Sequence, residues 1–151
     1  KKKKKLDISY IEEMPLGKVT NSRNESYCSS DEVLATLQKH FDLQSSIANT
    51  GGPSRYYQVA GSKSKIGFIS PHSHNFCESC NRVRVTTEGR LLLCLGQEHS
   101  MDLRDIIRRH PGDIDQLKQA IIKSMDIKPK GHDFNIKEQP IIFRHMSVTG
   151  G

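Results

Sequence analysis

Tryptophan is absent from this sequence, and aromatic residues of all kinds make up only 6% of its 151 positions. Hydrophobic residues reach 34%, whereas a self-sufficient globular domain usually carries about 45–50% with glycine counted in. A chain with so few large apolar side chains can build only a thin hydrophobic core. We therefore expect a domain that depends on a partner domain, on a cofactor, or on both.

Long apolar segments are lacking as well. No stretch approaches the roughly 20 consecutive apolar residues that a membrane-spanning helix needs. The lysine run at residues 1–5 is not followed by the apolar segment that a secretion signal requires. We therefore expect no membrane partner and a cytoplasmic location.

Positive charge is concentrated at one end of the chain. Lys and Arg number 23 against 17 Asp and Glu, for a formal net charge of +6, and the lysines at residues 1–5 account for most of that excess. The remainder of the sequence is nearly balanced in charge, so it lacks the overall basicity of a nucleic-acid-binding domain. Composition therefore disfavours nucleic acid as a partner.

The local patterns predict an α+β fold made of β-hairpins with a few helices. Strand-forming residues recur between turn residues, and helix-capping residues precede the segments with helical periodicity. The predicted strands are 6–14, 55–60, 65–70, 82–87 and 90–95, and the predicted helices begin near residue 30, at 102 and at 113. The first strand has no partner close to it in sequence, which indicates that a larger sheet or barrel receives it. Residues 128–151 are predicted to be irregular.

Three of the four cysteines form the most informative motif. Cys77 and Cys80 are separated by two residues, and Cys94 follows after thirteen more, beyond the second predicted hairpin. The returning strand of that hairpin would bring Cys94 opposite Val83 or Arg84, depending on the length of the turn. The spacing therefore predicts one site with three thiolates, and in a cytosolic setting such a cluster more often binds metal than forms disulfides.

The spacing alone does not decide which metal is bound, because thiolates select either zinc or iron–sulfur clusters. A structural zinc ion takes four ligands, and His74 or the distant Cys28 could supply the fourth. Three cysteines on a 4Fe–4S cluster would leave one iron open to a small molecule. Two interpretations follow: an iron–sulfur site, or a zinc-stabilised module that binds phosphate or nucleic acid.

Two arginines follow the cysteine pair directly. Arg82 and Arg84 are two positions apart on a predicted strand, so their guanidinium groups face the same side, while Val83 and Val85 are predicted to face a core. A pair of guanidinium groups suits a phosphate or a carboxylate. The sequence therefore predicts an anion-binding site beside the thiolates.

The cysteine motif belongs to a longer pattern, Cys-x2-Cys-Asn-Arg-x-Arg from Cys77 to Arg84, followed by Cys94 and, at the end of the chain, by Gly-Gly. With these motifs the segment from Ile66 to Arg104 resembles the C-terminal region of the GTP 3′,8-cyclase family. Members of that family are radical S-adenosylmethionine enzymes that begin molybdenum cofactor (molybdopterin) biosynthesis. The opening Tyr-Ile-Glu-Glu-Met-Pro-Leu-Gly is similar to the last strand of the family's barrel.

The resemblance implies a role for each residue of the motif. Cys77, Cys80 and Cys94 would be the ligands of a 4Fe–4S cluster, and the open iron of that cluster would bind the guanine of GTP. Arg82 and Arg84 would help to hold the triphosphate. The chain would thus carry the substrate-binding cluster of the enzyme.

The resemblance also implies the reaction and a role for the C-terminus. In the family a 5′-deoxyadenosyl radical abstracts a hydrogen atom from the ribose of GTP, and the ribose carbon then joins guanine C8. The product is (8S)-3′,8-cyclo-7,8-dihydroguanosine 5′-triphosphate, and the enzyme is a lyase. The terminal Gly150 and Gly151 would reach into the active site as catalytic residues.

Much of such an enzyme would lie outside these 151 residues. The Cys-x3-Cys-x2-Cys motif that holds a second 4Fe–4S cluster, where S-adenosylmethionine is cleaved, is absent from the sequence. We expect residues 1–17 to be a tag-like lysine run plus the last barrel strand. Residues 18–151 would be the accessory domain that carries the iron–sulfur site and closes a radical S-adenosylmethionine α/β barrel that is mostly missing.

The same resemblance predicts the partners of the chain. They are GTP, the N-terminal barrel, a second copy of the chain in a homodimer and, in the pathway, the downstream cyclic pyranopterin monophosphate synthase. Without the barrel, the fragment alone is expected to be inactive.

Overall fold

A computed structural model describes residues 6–19, 22–138 and 142–149 of the chain. The described residues fall into two compact units. The first is drawn from Lys1–Met14 and Arg23–Phe76, and the second from Pro15–Ser22 and Cys77–Gly151. The expectation of an α+β fold built from hairpins and a few helices is confirmed, and no closed barrel forms among the described residues. The boundary predicted between residues 17 and 18 stays a prediction.

The first unit contains a four-stranded sheet and two helices. Its strands are β1 (Ile8–Ile11), β2 (Leu43–Ser46), β3 (Arg55–Val59) and β4 (Lys65–Ile69), and its helices are α1 (Arg23–Ser26) and α2 (Ser30–Gln38). The strand order is β1-β4-β3-β2, with β1 parallel to β4 and the other pairs antiparallel. The predicted first hairpin is therefore confirmed as β3 and β4.

The first strand is shorter than predicted and has a partner. β1 covers Ile8–Ile11 rather than 6–14, and it pairs with β4 in the register Ile8↔Ile66. The ladder ends soon after, where the Glu12 N–H donates to the Ile69 carbonyl at 3.0 Å. Pro15 offers no N–H to continue such a ladder.

Helix α2 begins where the sequence predicts. Ser29 accepts a hydrogen bond from the Glu32 N–H at 3.3 Å, and the Glu32 carboxylate accepts one from the Ser29 N–H at 2.8 Å. This reciprocal capping box satisfies two backbone donors that a helix start leaves without partners. Strand β2 was missed, because its sequence Leu-Gln-Ser-Ser is mostly polar and β2 lies at the edge of the sheet.

The second unit contains a three-stranded antiparallel sheet, two α-helices and two short 3₁₀ turns. The strands, in the order of the sheet, are β5 (Arg84–Val85), β6 (Arg90–Leu92) and β7 (Ser100–Asp102). The helices are α3 (Leu103–Arg109) and α4 (Ile114–Asp126), and the 3₁₀ turns are Cys77–Ser79 and Met146–Val148. Both α-helices begin at an aspartate cap, as the sequence predicts. Strand β7 was missed because it is three residues long.

The buried apolar core of the second unit is small, as the composition predicts. Leu91, Leu93 and Leu103 form it, with Met101 and Leu117 packed against them. Strand β6 supplies two adjacent leucines, Leu91 and Leu92, that are both only 3% exposed, so both faces of the middle strand are covered.

The chain after α4 is mostly irregular, as predicted, but it is attached at several points. Ile142 forms a parallel bridge with Leu16, and the Gly17 N–H donates to the Ile142 carbonyl at 2.9 Å. Arg144 pairs with Glu98 and also donates to the Gln97 carbonyl. None of the helices in the described ranges is both long enough and apolar enough to cross a membrane.

Candidate functional site

The first two cysteines share one tight turn. Cys77 begins the 3₁₀ turn Cys77–Ser79, and the Cys80 N–H donates to the Cys77 carbonyl at 3.0 Å. Both thiols are half-buried and free of disulfide bonds. The turn thus presents two thiols from one short loop, as the two-residue spacing predicts.

The hairpin of β5 and β6 returns Cys94 toward that loop, but in a register that the sequence did not predict. Arg84 pairs with Leu92 and Val85 with Leu91, so the register continued by two residues sets Cys94 level with Arg82. The expectation of Val83 or Arg84 opposite Cys94 is therefore wrong. The difference arises because the turn spans the three residues 87–89 and ends at Gly89, whose φ is +79°. The prediction assumed either a two-residue turn at 88–89 or a three-residue turn that begins one residue later.

The pKa of Cys94 depends on the other two cysteines of the motif. Burial raises the pKa of Cys94, a hydrogen bond from the Gly96 N–H and the charge of Lys128 lower it, and the charges of Cys77 and Cys80 raise it again, with a net increase. Cys94 is half-buried, and it lies within electrostatic range of both other cysteines. The hairpin therefore returns Cys94 toward the cysteine loop, and one site with three thiolates stays a prediction.

The donor set fits a group that is held by thiolates. None of the three cysteines forms a disulfide bond, and Lys128 acts electrostatically on Cys94, so the negative charge that a metal-bound thiolate would carry there has a cation near it. Within residues 6–19, 22–138 and 142–149, no group of three or more His, Cys, Asp or Glu side chains is assembled as a site for a metal ion.

The segment after α4 lies along the cysteine loop and the end of the hairpin. A Cβ built on Gly131 would lie 3.9 Å from the Cβ of Cys77, and one on Gly96 would lie 2.7 Å from the Cβ of His132. Phe134 packs against the same glycine and stacks on His132 with ring centroids 4.2 Å apart. The sequence did not indicate the contacts that Gly96 and Gly131 make, because each joins residues that are more than thirty positions apart.

The two arginines are less exposed than the valines beside them, and the predicted strand 82–87 is shorter in the structure, because β5 covers only Arg84–Val85. Arg82 and Arg84 are half-buried, whereas Val83 and Val85 are 41% and 52% exposed. The prediction that the two valines face a core is wrong. Val83 precedes β5, and Val85 lies in β5, the edge strand of a sheet whose buried residues are in the middle strand β6. The alternation of exposure still puts both arginines on one face.

The two histidines before the cysteine loop have partners within the first unit. His74 Nε2 lies 2.8 Å from a carboxylate oxygen of Asp31, and His72 Nε2 lies 2.9 Å from the carbonyl of Glu13. Cys28 is exposed, with its Sγ near the Ser29 carbonyl. A role for His74 or Cys28 as a fourth zinc ligand stays a hypothesis.

Glu12, with Glu13 the polar end of the first predicted strand, is a further residue of note. Its carboxylate is buried, only 3% exposed, and accepts backbone N–H bonds from Ser30 at 2.9 Å, His72 at 2.9 Å and Ser73 at 3.1 Å. The Ser73 hydroxyl donates a fourth bond. Burial raises the pKa of Glu12, but these hydrogen bonds outweigh it and lower the pKa to about 2. The two adjacent glutamates at the end of a strand were the only signal in the sequence.

The two predicted catalytic glycines are at the end of the chain. Gly150 and Gly151 lie outside the described residues. The last described residues before them form the 3₁₀ turn Met146–Val148 and the buried Thr149.

Comparison with known proteins identifies the family. The profile described as Molybdenum Cofactor Synthesis C matches residues 6–134, which is most of the chain and includes the whole cysteine motif. The chain belongs to this family. The matched range also contains Arg82, Arg84 and Lys128 but ends before the C-terminal glycines.

Curated relatives of this Molybdenum Cofactor Synthesis C chain include proteins named GTP 3′,8-cyclase. It is 57% identical over 147 residues to GTP 3′,8-cyclase of Saccharophagus degradans, with 97% of this chain and 44% of that protein covered. It is 54% identical over 147 residues to GTP 3′,8-cyclase 2 of Pseudomonas aeruginosa, with the same coverage. It is 52% identical over 151 residues to GTP 3′,8-cyclase of Marinobacter nauticus, with 99% and 46% covered. The chain thus spans less than half the length of these relatives, and the predicted resemblance is confirmed.

Proposed function

We propose that this chain is the GTP-binding part of a GTP 3′,8-cyclase and that it carries a 4Fe–4S cluster with an open iron. The observation that carries the proposal is the register of the β5–β6 hairpin, which continued by two residues sets Cys94 level with Arg82, two residues after Cys80, in a chain of the Molybdenum Cofactor Synthesis C family. Three cysteine ligands leave one iron of such a cluster without a protein ligand. That iron would act as a Lewis acid toward the guanine base.

The proposed role of Arg82 and Arg84 is to bind the triphosphate. Both are half-buried, Arg84 begins β5, and Arg82 lies two residues before it and two residues after Cys80. A guanidinium group keeps its charge at any pH of interest and can donate two parallel hydrogen bonds to a phosphate. The pair is therefore suited to orient GTP with its phosphates on the arginines and its base toward the thiolates.

The remaining features of the proposed enzyme lie beyond the described residues. S-adenosylmethionine and a second 4Fe–4S cluster would bind an N-terminal barrel, which supplies the radical chemistry, so this chain alone would not convert GTP. The terminal Gly150 and Gly151 would act in the completed active site. We also propose a cytoplasmic location, because thiolate ligands need a reducing compartment, and a homodimer and the downstream cyclic pyranopterin monophosphate synthase as partners.

Anaerobic reconstitution of the full chain with iron and sulfide, followed by metal analysis and electron paramagnetic resonance, tests this proposal. We expect about four irons per chain, and a spectrum that changes when GTP is added. Cys94→Ser should lose the cluster, whereas Cys28→Ser, which alters an exposed cysteine outside the motif, should retain it. One zinc per chain without iron uptake would refute the proposal and favour a zinc-stabilised module instead.

The arginines are tested on the same reconstituted protein. Arg82→Gln and Arg84→Gln should keep the iron content while weakening GTP binding by about tenfold or more each, because each removes a charge-assisted hydrogen bond to phosphate. Arg108→Gln, in the last turn of α3, is the matched control and should bind GTP normally. Unchanged GTP affinity in both site variants would remove the arginines from the proposed site.

A further inference from the structure

Lys128 occupies a fixed position directly after helix α4. Its backbone N–H donates to the Met125 carbonyl at 3.1 Å, which closes the last turn of the helix. Pro129 follows, and a residue before proline is held away from the helical conformation. The backbone of Lys128 is therefore fixed from both sides, and its side chain leaves the helix end at a defined place.

The ammonium group of Lys128 joins the two ends of the hairpin that carries the candidate site. Its Nζ donates to the Leu93 carbonyl at 2.6 Å and to the Arg82 carbonyl at 3.1 Å. Leu93 immediately precedes Cys94, and Arg82 is the first arginine of the proposed phosphate-binding pair. One cation thus holds together the backbone beside a proposed cluster ligand and the backbone beside a proposed substrate ligand.

We infer that Lys128 is a positioning residue of the thiolate site, which ties the ends of the β5–β6 hairpin together and supplies a positive charge facing the bound cluster. This inference rests on the proposed function, because it assumes that the three thiolates hold an iron–sulfur cluster. Because Lys128 Nζ donates to the carbonyl of Leu93, the residue before Cys94, its positive charge lies within one residue of a proposed cluster ligand.

The two contributions of Lys128 are separable by chemistry. The hydrogen bonds to the carbonyls order the hairpin ends, and residues that orient metal ligands in this way typically change metal affinity by about 10- to 100-fold when removed. The charge acts over a longer distance and favours the more electron-rich state of the cluster. An amide in place of the ammonium group keeps hydrogen-bond donors without the charge, whereas a guanidinium group keeps both.

The test uses the full chain reconstituted anaerobically with iron and sulfide, with Lys128→Met, Lys128→Gln and Lys128→Arg as variants. Lys123→Met is the matched control, because Lys123 is an exposed lysine of α4, in the last turn before Lys128. The measurements are the rate of iron loss to an added chelator and the midpoint potential of the cluster at an electrode. A residue that only stabilised the fold would not shift the potential according to its charge.

We expect Lys128→Met to lose iron about tenfold faster than the unsubstituted chain and to have a lower midpoint potential. Lys128→Gln should share the lower potential with a smaller change in iron loss, and Lys128→Arg should keep the original potential. Lys128→Gln also preserves the test if Lys128→Met fails to fold.

Other outcomes overturn the inference in distinguishable ways. If the unsubstituted chain holds about four irons and Lys128→Met and Lys128→Gln match it in both measurements, Lys128 has no positioning role and the proposed function stands. If the potential is the same in Lys128→Gln and Lys128→Arg, the charge is without effect and the inference fails in that part. If the unsubstituted chain takes up no iron, the proposed function fails and the inference with it.

Discussion

Single residues in this chain fix the conformation of loops through hydrogen bonds or close packing. Glu12 gathers three backbone N–H groups and a serine hydroxyl around one buried carboxylate. Gly96 leaves room for His132 and Phe134 and donates its N–H to Cys94. Glu12 acts through its carboxylate on backbone groups, whereas Gly96 acts because its missing side chain leaves space for two other side chains.

The charge of Glu12 makes the stability of the first unit depend on pH. Its pKa in the folded chain is about 2, against an ordinary value of 4.5. A carboxylate with a lowered pKa stabilises the fold above its unfolded-state pKa, and that stabilisation is lost as the pH falls through the range from 4.5 to about 2. The shift corresponds to a contribution of about 3 kcal/mol at neutral pH.

Glu12→Gln is therefore expected to destabilise the chain by about 2–3 kcal/mol at neutral pH, with the difference shrinking as the pH is lowered toward about 3. Urea unfolding across that pH range measures both values. Glu25→Gln, an exposed glutamate of α1, serves as the control and should leave the stability nearly unchanged. A constant difference between Glu12→Gln and the unsubstituted chain at all pH values would contradict the assignment of the lowered pKa.

At the scale of elements, the β5–β6 hairpin is fixed by its turn and by the helix that follows β7. Gly89 has φ +79°, a conformation that residues with a Cβ seldom adopt. Its carbonyl accepts the first two N–H groups of α3, from Leu103 at 3.0 Å and Arg104 at 3.1 Å. The turn that sets the register of Cys94 thus also caps a helix.

Gly89→Ala should destabilise the second unit by about 2–3 kcal/mol, because alanine is strained at this φ and its Cβ would meet the Cβ of Arg104 at 2.9 Å. Gly112→Ala is the matched control in the same unit, since Gly112 has φ +78° but no atom within 4 Å of the added Cβ. It should cost only the strain, about 1 kcal/mol. Thermal unfolding compares the two, and equal losses would show that the contact with Arg104 contributes nothing.

At the scale of the whole molecule, the second unit has few buried apolar residues for its size. Several large apolar side chains of α3 and α4 are exposed, among them Ile107, Ile114 and Ile122. The low hydrophobic content of the sequence anticipated this thin core. Metal ligation would compensate for it, because binding to a site that exists only in the folded state stabilises that state.

Removal of the proposed cluster should therefore destabilise the second unit more than the first. We expect amide hydrogen exchange to rise after chelation in β5, β6 and the turn Cys77–Ser79, while the amides of β3 and β4 keep their protection. Comparison of iron-loaded and chelated chain by exchange and mass spectrometry measures this. A uniform increase in exchange over both units would show that the cluster does not stabilise the second unit in particular. No increase in either unit would show that metal binding does not contribute to the folding of the second unit.

Features that depend on local chemistry could be predicted from the amino-acid sequence. Capping residues gave the starts of α2, α3 and α4, and turn residues gave both hairpins, because these signals act within a few positions of one another. The cysteine spacing predicted one neighbourhood of thiols, since a hairpin of that length has to return near its start. The same motif led to the family.

Features that depend on contacts between distant parts of the chain are visible in the tertiary structure alone. The register that sets Cys94 level with Arg82 depends on which residue closes the turn, and Gly89 does so while its carbonyl binds α3. The exposure of Val85 follows from the position of β5 at a sheet edge, which alternation along one strand does not reveal. The bonds of Lys128 to the hairpin ends join segments 35 and 46 positions apart, and no local pattern encodes contacts at that separation.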